Sequence, residues 1–266
     1  MSKNLTDNSR GYILRNHSFE TDAMRKLMQM LTVTLTLGLA AAAASGAAHA
    51  ADAATPEKIG IIGTGRIGSA LARAWVKAGH EVFVSTRHPE ELQALVAELG
   101  GHAHAGTPRQ AAAFGSVVLV SIPYGAMPQI GTDVRAELAG KVILDTSNPS
   151  ERRDGPLAPD WLKKGAGLST AELLHSTRVV RAFNCIGAAS LASDGFRQPN
   201  RLAIPIGGDD AAALAVAERL IREIGFDPVM IGSLARTRVF DLGQPLATGS
   251  LTAAEMRSKA AQLTPQ

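Results

Sequence analysis

The sequence predicts an α/β protein built on a doubly wound parallel sheet, with a small C-terminal α/β subdomain. Three observations carry that prediction. The first is Lys58-Ile-Gly-Ile-Ile-Gly-Thr-Gly-Arg-Ile-Gly68, which reads as a buried strand, a glycine turn and a helix start. The second is the alternation of short apolar runs with helix-like stretches from residue 58 to residue 231, the mark of a sheet covered on both faces. The third is the spacing of the first unit. Ala70, Leu71, Ala74 and Trp75 recur at helical intervals, Gly79 stops the helix, and Glu81-Val-Phe-Val84 supplies a second strand.

The remaining elements follow in order. Residues 89–99 read as a helix opened by Pro89 and closed by Gly100-Gly101. His102-Ala-His-Ala105 is a short third strand, and Thr107-Pro108 caps a helix that runs to Phe114. Val117-Val-Leu-Val-Ser-Ile122 is a strongly apolar fourth strand, followed by Pro123-Tyr124-Gly125 and a looser helical region ending near Gly140. Lys141-Val-Ile-Leu-Asp145 is the fifth strand, with Thr146-Ser-Asn-Pro149 as its exit. Residues 150–168 are rich in charge, Gly and Pro and read as an irregular excursion. A second section begins near Arg178, with strands at 179–183 and 202–206, an amphipathic helix at 209–224 and a last strand at 227–231. The tail from Leu234 gives only weak helix signals.

The first 50 residues are expected to lie outside this fold. Met24-Arg25-Lys26 opens a basic region, residues 27–44 are apolar, and Ala48-His49-Ala50 is a small-x-small cleavage site. That is the layout of a secretory signal peptide cut after Ala50, preceded by a polar upstream extension; a membrane anchor is the alternative for a run of this length. The expected organisation is therefore a leader at 1–50, a nucleotide-binding domain at 51–177 and an acceptor-side subdomain at 178–266, with the mature protein in the periplasm. Residues 1–50 hold five of the 27 Lys/Arg and three of the 24 Asp/Glu, which leaves the other 216 residues at a formal +1. Nothing in that balance points to nucleic acid or to a membrane surface. Cys185 is the single cysteine, so no internal disulfide forms.

The glycine turn is the device that cradles a dinucleotide pyrophosphate. Gly63 permits the turn, Gly65 lets the phosphates approach the backbone, and Gly68 lets the helix lie close on the strand. The N–H groups at Thr64, Gly65, Arg66 and Ile67 then face the anion at the helix start. About twenty residues later an NAD site would carry an Asp or Glu for the ribose hydroxyls. This chain has Ser85-Thr86-Arg87-His88 instead, two hydroxyls and a cation in a pattern suited to a ribose 2′-phosphate. The cofactor predicted is NADP. Ligands in such sheets gather at the carboxyl ends of the strands. That places Ser121-Ile122-Pro123 along the nicotinamide ribose and Asn148-Pro149 at the nicotinamide pocket. His102 and His104 have no third ligand nearby, so no metal is expected. Cys185 has no identifiable His partner and reads as a small packing residue beside the cofactor. No hydrolase motif is present.

Five segments in this order resemble the NADPH-dependent deazaflavin reductase family, the NADP oxidoreductases acting on the 8-hydroxy-5-deazaflavin coenzyme. They are Ile61-Ile-Gly-Thr-Gly-Arg-Ile-Gly68, Ser85-Thr-Arg87, Asp145-Thr-Ser-Asn-Pro149, Arg178-Val-Val-Arg-Ala-Phe-Asn184 and Ile231-Gly-Ser-Leu234. The chain is also similar to the related cytosolic domain of six-transmembrane ferric reductases. The resemblance implies a Rossmann-type fold and hydride transfer between NADPH and a flavin or deazaflavin ring. It implies that residues 63–68 hold the pyrophosphate; Ser85, Thr86 and Arg87 the 2′-phosphate; and Ile122 and Pro123 the nicotinamide ribose. Ala182, Phe183 and Asn184 would border the cleft where the acceptor meets the nicotinamide. Both reactants carry the redox chemistry, so no catalytic side chain is named. The expected partners are a small-molecule redox acceptor and a second copy of the chain in a homodimer. The tail departs from the family's bulky apolar ending, with Leu246, Leu251 and Met256 among small residues. With the leader, it leaves open a second reading, an exported NADP-binding module or redox sensor without catalysis.

Overall fold

A computed structural model describes residues 55–263. The leader, its cleavage site and the localisation read from them lie outside the described residues. Eight strands form one sheet: β1 (Lys58–Ile62), β2 (Glu81–Ser85), β3 (Ala103–Gly106), β4 (Val117–Val120), β5 (Val142–Asp145), β6 (Arg178–Arg181), β7 (Ala203–Gly208) and β8 (Asp227–Gly232). Their order is β3-β2-β1-β4-β5-β6-β7-β8, and every neighbouring pair is parallel except β6 with β7. The chain walks outward from β1 through β2 to β3, then returns to start β4 on the other side of β1. That reversal opens a crevice at the carboxyl ends of β1 and β4.

The helices cover both faces. On the nucleotide half they are α1 (Arg66–Lys77), α2 (Gln93–Leu99), α3 (Pro108–Phe114), α4 (Met127–Asp133) and α5 (Arg135–Leu138). Beyond β5 come α6 (Glu151–Asp154), α7 (Ala158–Lys164), α8 (Ala166–Leu173), α9 (Ala188–Ser193), α10 (Ala211–Glu223) and α11 (Ala253–Gln262). Alternate strand residues feed opposite faces. Ile59, Ile61 and Leu119 join Leu71 and Trp75 of α1 and Leu220 and Ile221 of α10 in one cluster. Ile62, Val118, Val120 and Ile143 join Tyr124, Met127 and Trp161 in the other.

Three expectations are corrected. Residues 150–168 are not irregular: they hold α6, α7 and the start of α8. Gly155, Pro156, Pro159 and Gly165 break the helical period there, yet Ala158 and Trp161 are buried, with the Trp161 ring 5.1 Å from Tyr124. The section starting at Arg178 is not a separate body, because β6 pairs with β5 and the sheet runs on to β8. Finally, the tail is core. Leu246 and Met256 are fully buried with Phe240, Val229 and Ile231, and Leu251 packs on them. Thr252 and Glu255 close a reciprocal capping box that starts α11. Among the described residues no helix is long and apolar enough to cross a membrane.

Candidate functional site

The three glycines of the turn differ in what surrounds them. Gly63 has φ +95°, and a Cβ there would lie 2.3 Å from the Ser121 carbonyl oxygen. A Cβ on Gly68 would lie 2.2 Å from the Gly63 carbonyl oxygen. Both positions are closed to any side chain by the protein itself. A Cβ on Gly65 would meet no protein atom within 4 Å. Gly65 is also the N-cap of α1, and no side chain caps that helix start. The leading N–H groups of a twelve-residue helix are thus left to bind an anion. Arg66 beside them is exposed, and Ile67 is half-buried against the core.

Ser85 departs from its expected role. It is fully buried, and its hydroxyl donates to the Ile61 carbonyl at 2.8 Å. Its own carbonyl accepts from Gly63 N and Thr64 N, each at 3.1 Å, and from Thr64 Oγ1 at 2.9 Å. Ser85 therefore fastens the glycine turn to β2, and the hydroxyl hydrogens of Ser85 and Thr64 are both donated to backbone carbonyls. Thr86 is half-exposed, with its hydroxyl accepting from His88 N at 3.1 Å. Arg87 is exposed and, among the described residues, has no hydrogen bond or ion pair. His88 lies 3.4 Å from Glu90 at the surface.

Hydrogen bonds draw the other loops to the same crevice. Ser121 N donates to Ile62 O at 2.9 Å, Thr146 N to Val120 O at 3.1 Å, and Ile122 N to Ser147 Oγ at 3.3 Å. Ile122 and Asn148 are half-buried and Pro123 is exposed. Of Ala182, Phe183 and Asn184, only Asn184 reaches the polar cluster at the carboxyl end of β5. Ala182 is buried, with its N–H on the Asp145 carbonyl. Phe183 has φ +60°, unusual for a bulky residue, and turns its ring into the core, 6.2 Å from Trp75. It does not border the cleft as expected.

Beneath Asn148 and Asn184 lies a buried ionic cluster that sequence reading did not single out. Arg181 is fully buried, and all five of its N–H donors are used. Nη1 donates to Asp145 Oδ2 at 2.9 Å and to the Ser147 carbonyl. Nη2 donates to Asn148 Oδ1 at 2.8 Å and Asp241 Oδ1 at 3.1 Å, and Nε to Asp241 Oδ1 at 3.2 Å. Burial opposes the guanidinium charge, but Asp145 and Asp241 outweigh it and raise the Arg181 pKa. Asp145 also accepts from Ser147 N and from the Thr170 hydroxyl, which bonds Tyr124. Burial first, and then the charge of Asp145, pushes the Tyr124 phenol well above its ordinary value. The signal that could have found this cluster is the charge of Arg181 inside the apolar run 179–183, opposite Asp145 at the end of another apolar run.

Two further features bear on the site. A groove of about 1020 Å³ starts at Thr64, Gly65 and Arg66 and runs down between α1 and α9 over Ala70, Ala74 and Ala192. Arg87, Ile122 and Asn148 do not line it. Burial pushes the Cys185 thiol up to about 11. Among the described residues no group of three or more His, Cys, Asp or Glu side chains is placed to hold a metal.

Comparison with known proteins bears on this geometry. The family model described as NADP oxidoreductase, coenzyme F420-dependent, matches residues 58–149, from β1 to the loop after β5. The F420-dependent NADP reductase of Methanothermobacter thermautotrophicus is 29% identical over 204 residues, 71% of this chain and 87% of that protein. This chain is a relative of the F420-dependent NADP oxidoreductases. Rat metalloreductase STEAP3 is 30% identical over 184 residues, and there the chain spans about a third of the relative's length (68% of this chain, 35% of that protein). Among solved structures, a putative F420-dependent NADP reductase from Arthrobacter sp. FB24 superposes with a TM-score of 0.61 at 25% identity, covering 74% of this chain and 97% of that one. A hypothetical protein from Sinorhizobium meliloti superposes with a TM-score of 0.66 at 28% identity, covering 74% and 96%. The doubly wound α/β fold is common to this family and to the chain.

Proposed function

We propose that this protein is an NADP(H)-dependent oxidoreductase that moves a hydride between NADPH and a flavin- or deazaflavin-type ring. The observation that carries the cofactor choice is the loop after β2, where Arg87 stands exposed and unpaired and no carboxylate occupies the position. Arg87 and Thr86 are placed to take the 2′-phosphate, and the start of α1 with Gly65 and Arg66 to take the pyrophosphate. The open space at Gly65 fits a group that approaches the backbone closely. Ile122, Pro123 and Asn148 continue the line towards the nicotinamide.

When bound, NADPH supplies the hydride and the acceptor ring takes it together with one proton from solvent. The chain's own work is to bind, orient and exclude water. Tyr124 and Cys185 are both pushed up by burial and stay protonated at neutral pH. The family relationship supports the flavin-like acceptor, as does the position of Asn184 beside Asn148. Purified protein with NADPH should reduce an 8-hydroxy-5-deazaflavin, riboflavin phosphate or FAD, seen as loss of the reduced-nicotinamide absorbance. Tight NADPH binding without turnover on any of the three would favour the non-catalytic module instead.

We also propose that the protein is exported and works in the periplasm, on the leader layout of residues 24–50. A mature amino terminus at Ala51 is the expected result of sequencing the protein from its host, and a retained residue 24–50 segment would contradict it.

A further inference from the structure

We propose that Asn148 and Asn184 act as a pair that reads the carboxamide group of the nicotinamide ring. The proposal rests on the NADP(H) reading above and gives it an atomic contact. Asn148 Oδ1 accepts from Arg181 Nη2 at 2.8 Å and from Asn184 Nδ2 at 3.3 Å. That fixes which end of the Asn148 amide is oxygen. One of its two amide hydrogens goes to the Asn184 carbonyl at 2.8 Å, and the other has no acceptor. Asn184 is fixed in the opposite sense. Its Nδ2 spends both hydrogens, on Asn148 Oδ1 and on the Phe240 carbonyl at 2.8 Å, while its Oδ1 is buried with no hydrogen-bond partner.

The surrounding atoms make that remainder informative. Arg181 has no free N–H, and both oxygens of Asp145 and both of Asp241 accept hydrogen bonds. In a cluster otherwise satisfied, one amide N–H and one amide oxygen are left over on two side chains that touch each other. A buried carbonyl without a donor costs free energy that a ligand's N–H would recover. A primary carboxamide presents one acceptor and a donor side by side, the complement of that pair. The pair sits at the carboxyl end of β5 and just past β6. Ser147, next to Asn148, is bonded to Ile122, the residue placed along the nicotinamide ribose. Arg181 is then a positioning residue, holding the Asn148 amide in the orientation that leaves its N–H outward-donating.

Calorimetry with three probes tests this: NADP+, its 3-acetylpyridine analogue, in which a methyl ketone replaces the carboxamide, and 2′-phospho-ADP-ribose, which has no pyridine ring. The wild-type protein should prefer NADP+ to the analogue by about tenfold, the penalty for leaving a buried acceptor unpaired. Asn184→Ala should shrink that preference to about twofold or less, whereas Asn148→Ala, which removes the N–H facing the carbonyl that both probes keep, should weaken NADP+ and the analogue alike; both variants should leave 2′-phospho-ADP-ribose affinity unchanged. Equal wild-type affinity for NADP+ and the analogue, an Asn184→Ala variant that keeps the full preference, or an Asn148→Ala variant that binds NADP+ as tightly as wild type, would overturn the pairing while the cofactor reading stands. A wild-type protein that binds none of the three would overturn the cofactor reading itself. If the Asn184 variant does not fold, the wild-type preference for NADP+ over the analogue together with the Asn148→Ala loss of NADP+ affinity decides.

Discussion

The two sides of the crevice are built in opposite ways. On the β1–β2 side the backbone is locked, with Ser85 pinning the glycine turn, while the side chains that face outward, Arg66 and Arg87, are free among the described residues. On the β5–β6 side the side chains themselves are locked, with Arg181 bonded to Asp145, Asp241, Asn148 and the Ser147 carbonyl in full burial. The contrast fits the proposed division of labour, phosphate on one half and ring on the other. A mobile phosphate tolerates flexible cations that reach out to it. A flat ring that must present one face to a second ring needs walls that do not move.

The largest effect should come from breaking the rigid half. Arg181→Met leaves Asp145 and Asp241 buried without a cation, so urea denaturation should show a loss of about 3–5 kcal/mol. Retained stability would show that the cluster is not a keystone.

The glycine turn sharpens the comparison next. Gly68→Ala forces a Cβ into the Gly63 carbonyl and should cost about 1–3 kcal/mol of stability. Gly65→Ala meets no protein atom, so its melting curve should match wild type while NADPH affinity falls. Equal thermal shifts for the two variants would contradict the distinction.

Arg87→Ala probes the flexible half without touching the fold. NADPH affinity should drop about tenfold, with NADH affinity unchanged, because a charge-assisted contact is worth about 1.5–3 kcal/mol. A parallel loss for both cofactors would remove Arg87 from phosphate recognition.

The smallest effect concerns Cys185. Its folded pKa, about 11, lies above the ordinary value of 9.0, so the folded state keeps the thiol neutral where the unfolded chain ionises. Its contribution to stability is complete below the ordinary value and declines as pH rises from there towards 11. A thiol-specific reagent at mild alkaline pH should label the urea-unfolded chain and spare the native one; fast native labelling would contradict this.

The legible parts of the molecule were those with a local signature. Strands β1, β2, β4 and β5 show as apolar runs, α3 announces itself through Thr107-Pro108, and the glycine turn carries its own geometry. The hidden parts depend on distant partners. Helices α6 to α8 are stabilised by Trp161 meeting Tyr124 and by Ala166 N bonding Asp241, neither visible along the chain. The Ser85 hydroxyl suits a phosphate in sequence, but its burial against the Ile61 carbonyl depends on a strand pairing that sequence does not display. Phe183 stands in sequence beside Asn184, but its left-handed backbone turns the ring towards Trp75, which no local pattern displays. Asp241 is 60 residues from Arg181, and no sequence spacing joins them.

The proposed division between a charge-reading half and a ring-holding half is tested most directly by titrating the purified protein with NADPH and with NADH in a calorimeter at one ionic strength. NADPH should bind at least about tenfold more tightly, the free-energy equivalent of one charge-assisted phosphate contact. Equal affinities would contradict the assignment of the Arg87 loop to the 2′-phosphate and, with it, the NADP(H) reading of the site.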